Sequence, residues 1–124
     1  MTIVLSTGLA DGGRRAAIAF GVALAALARE DTVHLFLSLE AAVIGAPTGC
    51  TGVHPRGFSD SLETCVQHFL DLGGRLEVCS SCYEEYCHDM PKGDDGKPTL
   101  GPNTTIQGLG VLAARAHQMP IVAF

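Results

Sequence analysis

The chain has 124 residues, enough for one ordinary domain and too few for two independent cores. Hydrophobic residues make up 47% and charged residues 17%, and thirteen acidic against eight basic residues give a net charge of −5, which disfavours nucleic acid and anionic membrane surfaces as partners. Five cysteines, an odd number, do not read as a secreted disulfide framework, so a reducing, cytoplasmic setting is expected.

Thr2 to Ser6 is a short apolar run closed by Thr7-Gly8, and Gly12-Gly13 follow, which predicts a strand, a turn and then a helix. That helix runs from about Arg14 to Arg29, with Asp11 placed to cap it. Arg14-Arg15 before the apolar run Ala16 to Ala28, with Ala26-Leu27-Ala28 at its end, imitates an export signal. The strand-like Thr2 to Ser6 and the charge of Asp11 argue against one, and the run is shorter than the roughly 18 to 20 apolar residues of a membrane span. A helix apolar nearly all round cannot bury every face on one sheet. With Phe20, Leu24 and Leu27 assigned to the sheet, Ala19, Val22 and Ala26 are expected to face outward against another subunit.

Thr32 to Leu39 predicts a second strand, covered on both faces. Ala41 to Ile44 can start a short helix, after which glycines and prolines from Gly45 to Phe58 predict a long loop carrying Cys50, His54 and Arg56. Ser59 or Asp60 caps a helix running to about Leu72, with Leu62, Cys65, Val66, Phe69 and Leu70 on one face and Gly73-Gly74 ending it. Arg75 to Cys79 predicts the third strand. His88 to Asn103, rich in proline, glycine and aspartate, predicts a mobile loop. A last helix is expected from around Ile106 to about His117, and Met119 to Phe124 as the final strand. The alternation predicts a single α/β domain over residues 1–124, with a mainly parallel sheet of about five strands flanked by helices on both faces. Ligands of such sheets sit beyond the carboxyl ends of the strands, here Thr7-Gly8, Glu40, and Cys79 with the segment after it.

Cys79 falls at a strand end, and Cys82 three residues later in the expected first turn of a helix. The free N–H groups and partial positive charge of a helix start stabilise a thiolate and lower a thiol pKa from its free value near 8.5. The same groups can hold the charged terminal sulfur of a persulfide. Cys79 and Cys82 are therefore the candidate catalytic pair, with Cys50, Cys87 and His88 as secondary candidates.

The strand–Cys–helix arrangement at Cys79, the opening strand, glycine-rich turn and apolar helix, and the closing Gly108-Leu109-Gly110-Val111-Leu112 segment before Pro120-Ile121-Val122-Ala123-Phe124 together resemble the DsrE/DsrF-like sulfur-relay family. The resemblance spans almost the whole chain. It implies a mainly parallel α/β fold, assembly into trimers or hexamers, and a cysteine that carries sulfur as a persulfide between partner proteins; Cys79 matches that cysteine and Cys82 a second one found in many members. Members with this pattern usually continue into an Arg-Gly pair, where this chain has Tyr86-Cys87. The expected function is a cytoplasmic sulfur carrier or sulfurtransferase that uses no cofactor and no metal, exchanges sulfur with donor and acceptor proteins through their reactive cysteines, and forms a homo-oligomer.

Other readings of the same residues compete. Cys79 and Cys82 can be buried structural thiols, or a C-x-x-C pair beside a βαβ unit can be a redox dithiol. The chain can also be a non-catalytic assembly subunit. Cys79, Cys82, Cys87 and His88 supply zinc-ligand types, but they lie within ten residues and lack a second, separated pair. Cys50 is read as an exposed loop thiol able to resolve a disulfide or accept sulfur, Cys65 as core, His34 as an interior or interface histidine, and Tyr83 and Tyr86 as packing or cover for the site.

Overall fold

A computed structural model describes residues 1–97 and 99–124; Pro98, in the expected 88–103 loop, lies outside the described residues. The strands are β1 (Thr2–Leu5), β2 (His34–Leu37), β3 (Arg75–Cys79), β4 (Thr104–Gln107) and β5 (Ile121–Ala123), and the helices α1 (Arg14–Ala28), α2 (Leu62–Asp71), α3 (Ser80–Tyr86) and α4 (Gly110–Arg115), with a 3-10 segment at Leu39–Gly45. The sheet has five strands in the order β4-β3-β2-β1-β5, all parallel. This is the single α/β domain expected.

The order explains the layers. From β1 to β2 and from β2 to β3 the chain steps to the next strand in one direction, and right-handed crossovers put α1 and α2 on the same face. Between β4 and β5 it crosses from one edge to the other, which takes α4 over the opposite face. Strand alternation divides the side chains accordingly. Ile3, Leu5, Leu35, Leu37, Leu76 and Val78 meet Ala16, Ala19, Phe20, Leu62 and Phe69 in the main core. Phe20 and Phe69 pack edge to face with ring centroids 5.5 Å apart. The other face carries His34, Glu77, Thr105 and Gln107, and Arg115 of α4 bonds both Glu77 carboxylate oxygens there. Glycine is required where layers approach closely: a Cβ on Gly45 would lie 2.4 Å from Val78 Cγ2.

Several local expectations change. The segment around Ile106 is the edge strand β4, not a helix start; its two threonines and isoleucine suit a strand, and the helix begins only at Gly110, after the break at Gly108. Helix α2 is capped by Ser61, whose Oγ accepts from the Thr64 N–H at 3.2 Å, one or two residues later than expected. The N-cap of α1 is Gly13 rather than Asp11, but Asp11, two residues earlier, still accepts from the N–H groups of Gly13, Arg14 and Arg15. On α1, Ala19 and Ala26 are buried and so do not face outward. The exposed stripe is instead Ile18, Gly21, Ala25 and Ala28, with Val22 half-buried beside it, because Phe20 and Ala16 fix which side of the helix meets the sheet.

Phe69→Ala removes a fully buried ring that packs against Phe20 across the α1–α2 contact. It is expected to cost about 3–5 kcal/mol in chemical denaturation. A loss below about 1 kcal/mol would contradict this packing.

Candidate functional site

The carboxyl ends of β1 and β2 are tied together by one side chain. Glu40, at the start of the 3-10 segment, accepts from the Gly8 and Leu9 N–H groups through its two carboxylate oxygens, the second at 2.9 Å. Gly8 is needed for this approach, since a Cβ there would lie 2.7 Å from Ala41 Cα. Ser6 Oγ and Ser38 Oγ, at the ends of β1 and β2, are hydrogen-bonded at 2.8 Å. Leu39, next in the chain, sits at φ 49, a left-handed conformation that is rare for a leucine and costs on the order of 1–3 kcal/mol. Its N–H donates to Cys82 Sγ at 3.0 Å. A strained residue thus aims its amide at the second cysteine.

Cys79 ends β3, and the chain turns at once into α3. The Cys79 and Ser81 side chains are 3.4 Å apart, Sγ to Oγ. Burial alone would raise the Cys79 pKa, but hydrogen bonds from the Ser81 hydroxyl, the Cys82 N–H, the Cys82 thiol and the Ser81 N–H outweigh it and hold the thiol below its ordinary range. Cys82 moves the other way: burial raises it, the Leu39 N–H opposes, and the neighbouring Cys79 raises it further. When the pair loses a proton, the charge rests on Cys79. Only 1% of Cys79 is exposed, so reaction there requires the first turn of α3, which begins with the exposed Ser80 and Ser81, to open locally.

The structure brings Cys79 and Cys82 together and leaves the secondary candidates elsewhere. Cys87, at the end of α3, is 1% exposed and packs in the main core, where burial raises its pKa. His88 points to the surface, 3.2 Å from Asp89. Adjacent in sequence, these two residues diverge, and among the described residues no three His, Cys, Asp or Glu side chains gather as a metal site. Cys50 is buried rather than exposed. It lines a cavity with Ile44, Val66, Leu70 and Leu76, and burial, helped by Glu63, pushes its thiol up to about 11. Cys65 is half-buried beside the core and also raised by burial. Tyr83 is buried with its hydroxyl unpartnered, and Tyr86 is exposed.

Sequence reasoning missed Ser81 and the Leu39 amide as the groups that differentiate the two thiols. The serine was visible as one of the two residues between the cysteines; the amide was not, because it comes from a segment forty-three residues away.

No protein-family model and no curated protein matches the chain in sequence. Its fold is similar to that of the YchN protein from E. coli, with a TM-score of 0.73 at 17% identity over 99% of this chain and 97% of that one. It is also similar to a conserved protein of unknown function from Bacteroides thetaiotaomicron, with a TM-score of 0.58 at 12% identity over 99% and 94% of the two chains.

Thiolate-selective alkylation followed by peptide mass mapping should give Cys79 a midpoint pH below that of an ordinary thiol, with Cys50, Cys65, Cys82 and Cys87 reacting only at higher pH. Ser81→Ala removes a hydroxyl that stabilises the thiolate and should shift the Cys79 midpoint upward. An unmoved midpoint would show that Ser81 does not set the Cys79 pKa.

Proposed function

We propose that this chain is a cytoplasmic sulfur carrier that holds sulfane sulfur as a persulfide on Cys79 and passes it to the thiol of a partner protein. The observation that carries the reading is the contrast among the five cysteines: Cys79 alone has its pKa lowered, while Cys50, Cys65, Cys82 and Cys87 have theirs raised. The resemblance of the sequence to DsrE/DsrF-like proteins and the fold similarity to YchN support it.

In loading, the Cys79 thiolate attacks the terminal sulfur of a donor persulfide. A new S–S bond forms on Cys79, the donor's S–S bond breaks, and the donor cysteine leaves as a thiolate. The terminal sulfur on Cys79 then carries the charge, with the Ser81 and Cys82 N–H groups nearby to hold it. In delivery, an acceptor thiolate attacks that terminal sulfur and releases the Cys79 thiolate, so no net oxidant is consumed. A redox-dithiol role is the second reading, favoured by the closeness of the two thiols, each of which shifts the pKa of the other. In that case Cys82 attacks the inner sulfur of the loaded Cys79, expels hydrosulfide and leaves a disulfide that a thiol reductant must reopen.

Incubation with a polysulfide or a persulfidated partner should add the mass of sulfur to the intact protein, reversibly with a thiol reductant. Cys79→Ser should abolish most of the gain, Cys65→Ser should keep it, and Cys82→Ser should keep loading but alter release. No uptake by the wild type would refute the carrier reading. An unchanged release rate in Cys82→Ser would remove Cys82 from the chemistry.

We also propose that the chain works as a homo-oligomer of three or six copies. Ile18 on α1 and Ile121 and Val122 on the edge strand β5 are 47%, 37% and 36% exposed in the single chain, apolar side chains that association would cover. Light scattering coupled to gel filtration at micromolar concentration is expected to give a multiple of 12.9 kDa. Ala25→Glu, on the exposed stripe of α1, should dissociate the assembly, and a wild-type mass of one chain would refute it.

A further inference from the structure

The sheet face under α4 sets polar side chains beside the buried Phe36, where the opposite face is apolar throughout. A cleft of about 370 Å³ lies there, lined by His34 of β2, Arg75 and Glu77 of β3, Asn103, Thr105 and Gln107 around β4, and Arg115 of α4. No apolar residue lines it. The volume is in the range of small-ligand sites, and a lining of polar and charged residues suits a small polar occupant rather than a lipid chain.

The charges in this cleft are unequally matched. Glu77 is 4% exposed at its side chain and is saturated by Arg115, which is 13% exposed and bonds both carboxylate oxygens. Arg75, in contrast, is exposed and has no ion-pair partner among the described residues. His34 is 9% exposed, its Nδ1 has no hydrogen-bond partner, and the nearest Glu77 oxygen is 3.7 Å away. Burial lowers the His34 pKa, Arg115 lowers it further, and Glu77 only partly opposes them, so the ring is neutral and adds no charge. Two guanidinium groups therefore face one carboxylate, on a chain whose net charge is −5. A buried polar atom left unpaired costs free energy unless something bonds it, and an unpaired guanidinium beside amide and hydroxyl groups matches an oxyanion in both charge and geometry.

We infer that the cleft binds a small polar anion whose carboxylate, phosphate or sulfur-oxyanion group is gripped by Arg75 and met by the side chains of Asn103, Thr105 and Gln107. The Glu77–Arg115 pair is the rigid floor and His34 the wall that takes up a polar group of the ligand. The site does not depend on the sulfur-carrier reading. It is nevertheless on the side of β3 to which Cys79 belongs by alternation, and Gln107 lies abreast of Cys79 in the sheet register.

The test is a titration of the full-length protein with sodium phosphate, sodium thiosulfate and sodium malonate at constant ionic strength, followed by calorimetry and by amide and imidazole NMR. Saturable one-site binding of at least one anion is expected, with shifts concentrated at Asn103, Thr105, Gln107 and the His34 ring; the order of the three anions identifies the headgroup. Arg75→Gln, on an exposed side chain, should weaken that binding roughly tenfold or more while leaving the fold intact, because it removes the charge-assisted hydrogen bonds. Cys79→Ser should bind as the wild type does, which separates this site from the persulfide chemistry. Absence of saturable binding by all three anions would overturn the inference, as would equal affinity in Arg75→Gln or loss of binding in Cys79→Ser.

Discussion

The site depends on the Glu40 carboxylate. By bonding the Gly8 and Leu9 amides it joins the turn after β1 to the turn after β2 and holds Leu39 in a conformation that leucine rarely adopts. Leu39 in turn donates its N–H to Cys82, and Cys79 meets Ser81 on the same first turn of α3. Four neighbouring segments, the ends of β1, β2 and β3 and the start of α3, thus share one chain of polar contacts. In many parallel α/β sheets the glycine-rich turn after the first strand is open to an outside anion. Here an internal carboxylate occupies the Gly8 and Leu9 amides, and the cysteine pair stands two strands away, where β3 runs into α3.

The two cysteines diverge although they stand three residues apart. Cys79 collects donors from its own first turn, while Cys82 receives one from a distant loop and also bears the repulsion of its partner's charge. Burial acts on both in the same direction and so cannot distinguish them. The difference lies in the number of hydrogen bonds that favour the charged form, which is the effect that lets a carboxylate or thiolate persist inside a protein. Burial dominates at Cys50, Cys65 and Cys87 and raises all three thiols, which disfavours the thiolate there.

Much of this was legible in the residues. The order of strands and helices through β3, the Asp11 contacts at the start of α1, and the position of Cys79 at a strand end follow from local pattern and turn chemistry. Thr104 to Gln107 was harder to read: four residues between a glycine-rich loop and Gly108 give too short a period to separate strand from helix, and only pairing with β3 decides it. The rotation of α1 was likewise undetermined, because a helix made mainly of alanine looks alike on every side and only Phe20, seated against Phe69, orients it. Cys50 was misread for another reason. A loop dense in glycine and proline suggests exposure, yet this one folds its cysteine into a cavity wall against Val66 and Leu70.

Strand β3 is where these arguments meet. Its alternation sends Leu76 and Val78 into the apolar core and turns Glu77 to the polar face under α4. A buried glutamate in a central strand is expensive unless it is paired, and Arg115, thirty-eight residues later, supplies both of its bonds. That pairing also anchors α4, which buries none of its own residues and so has little apolar packing to hold it on the sheet. The cost of placing a carboxylate inside the sheet is therefore offset by fixing the one helix that crosses this face. The same strand that presents the thiol at its carboxyl end thereby organises, two residues earlier, the polar cleft beneath it.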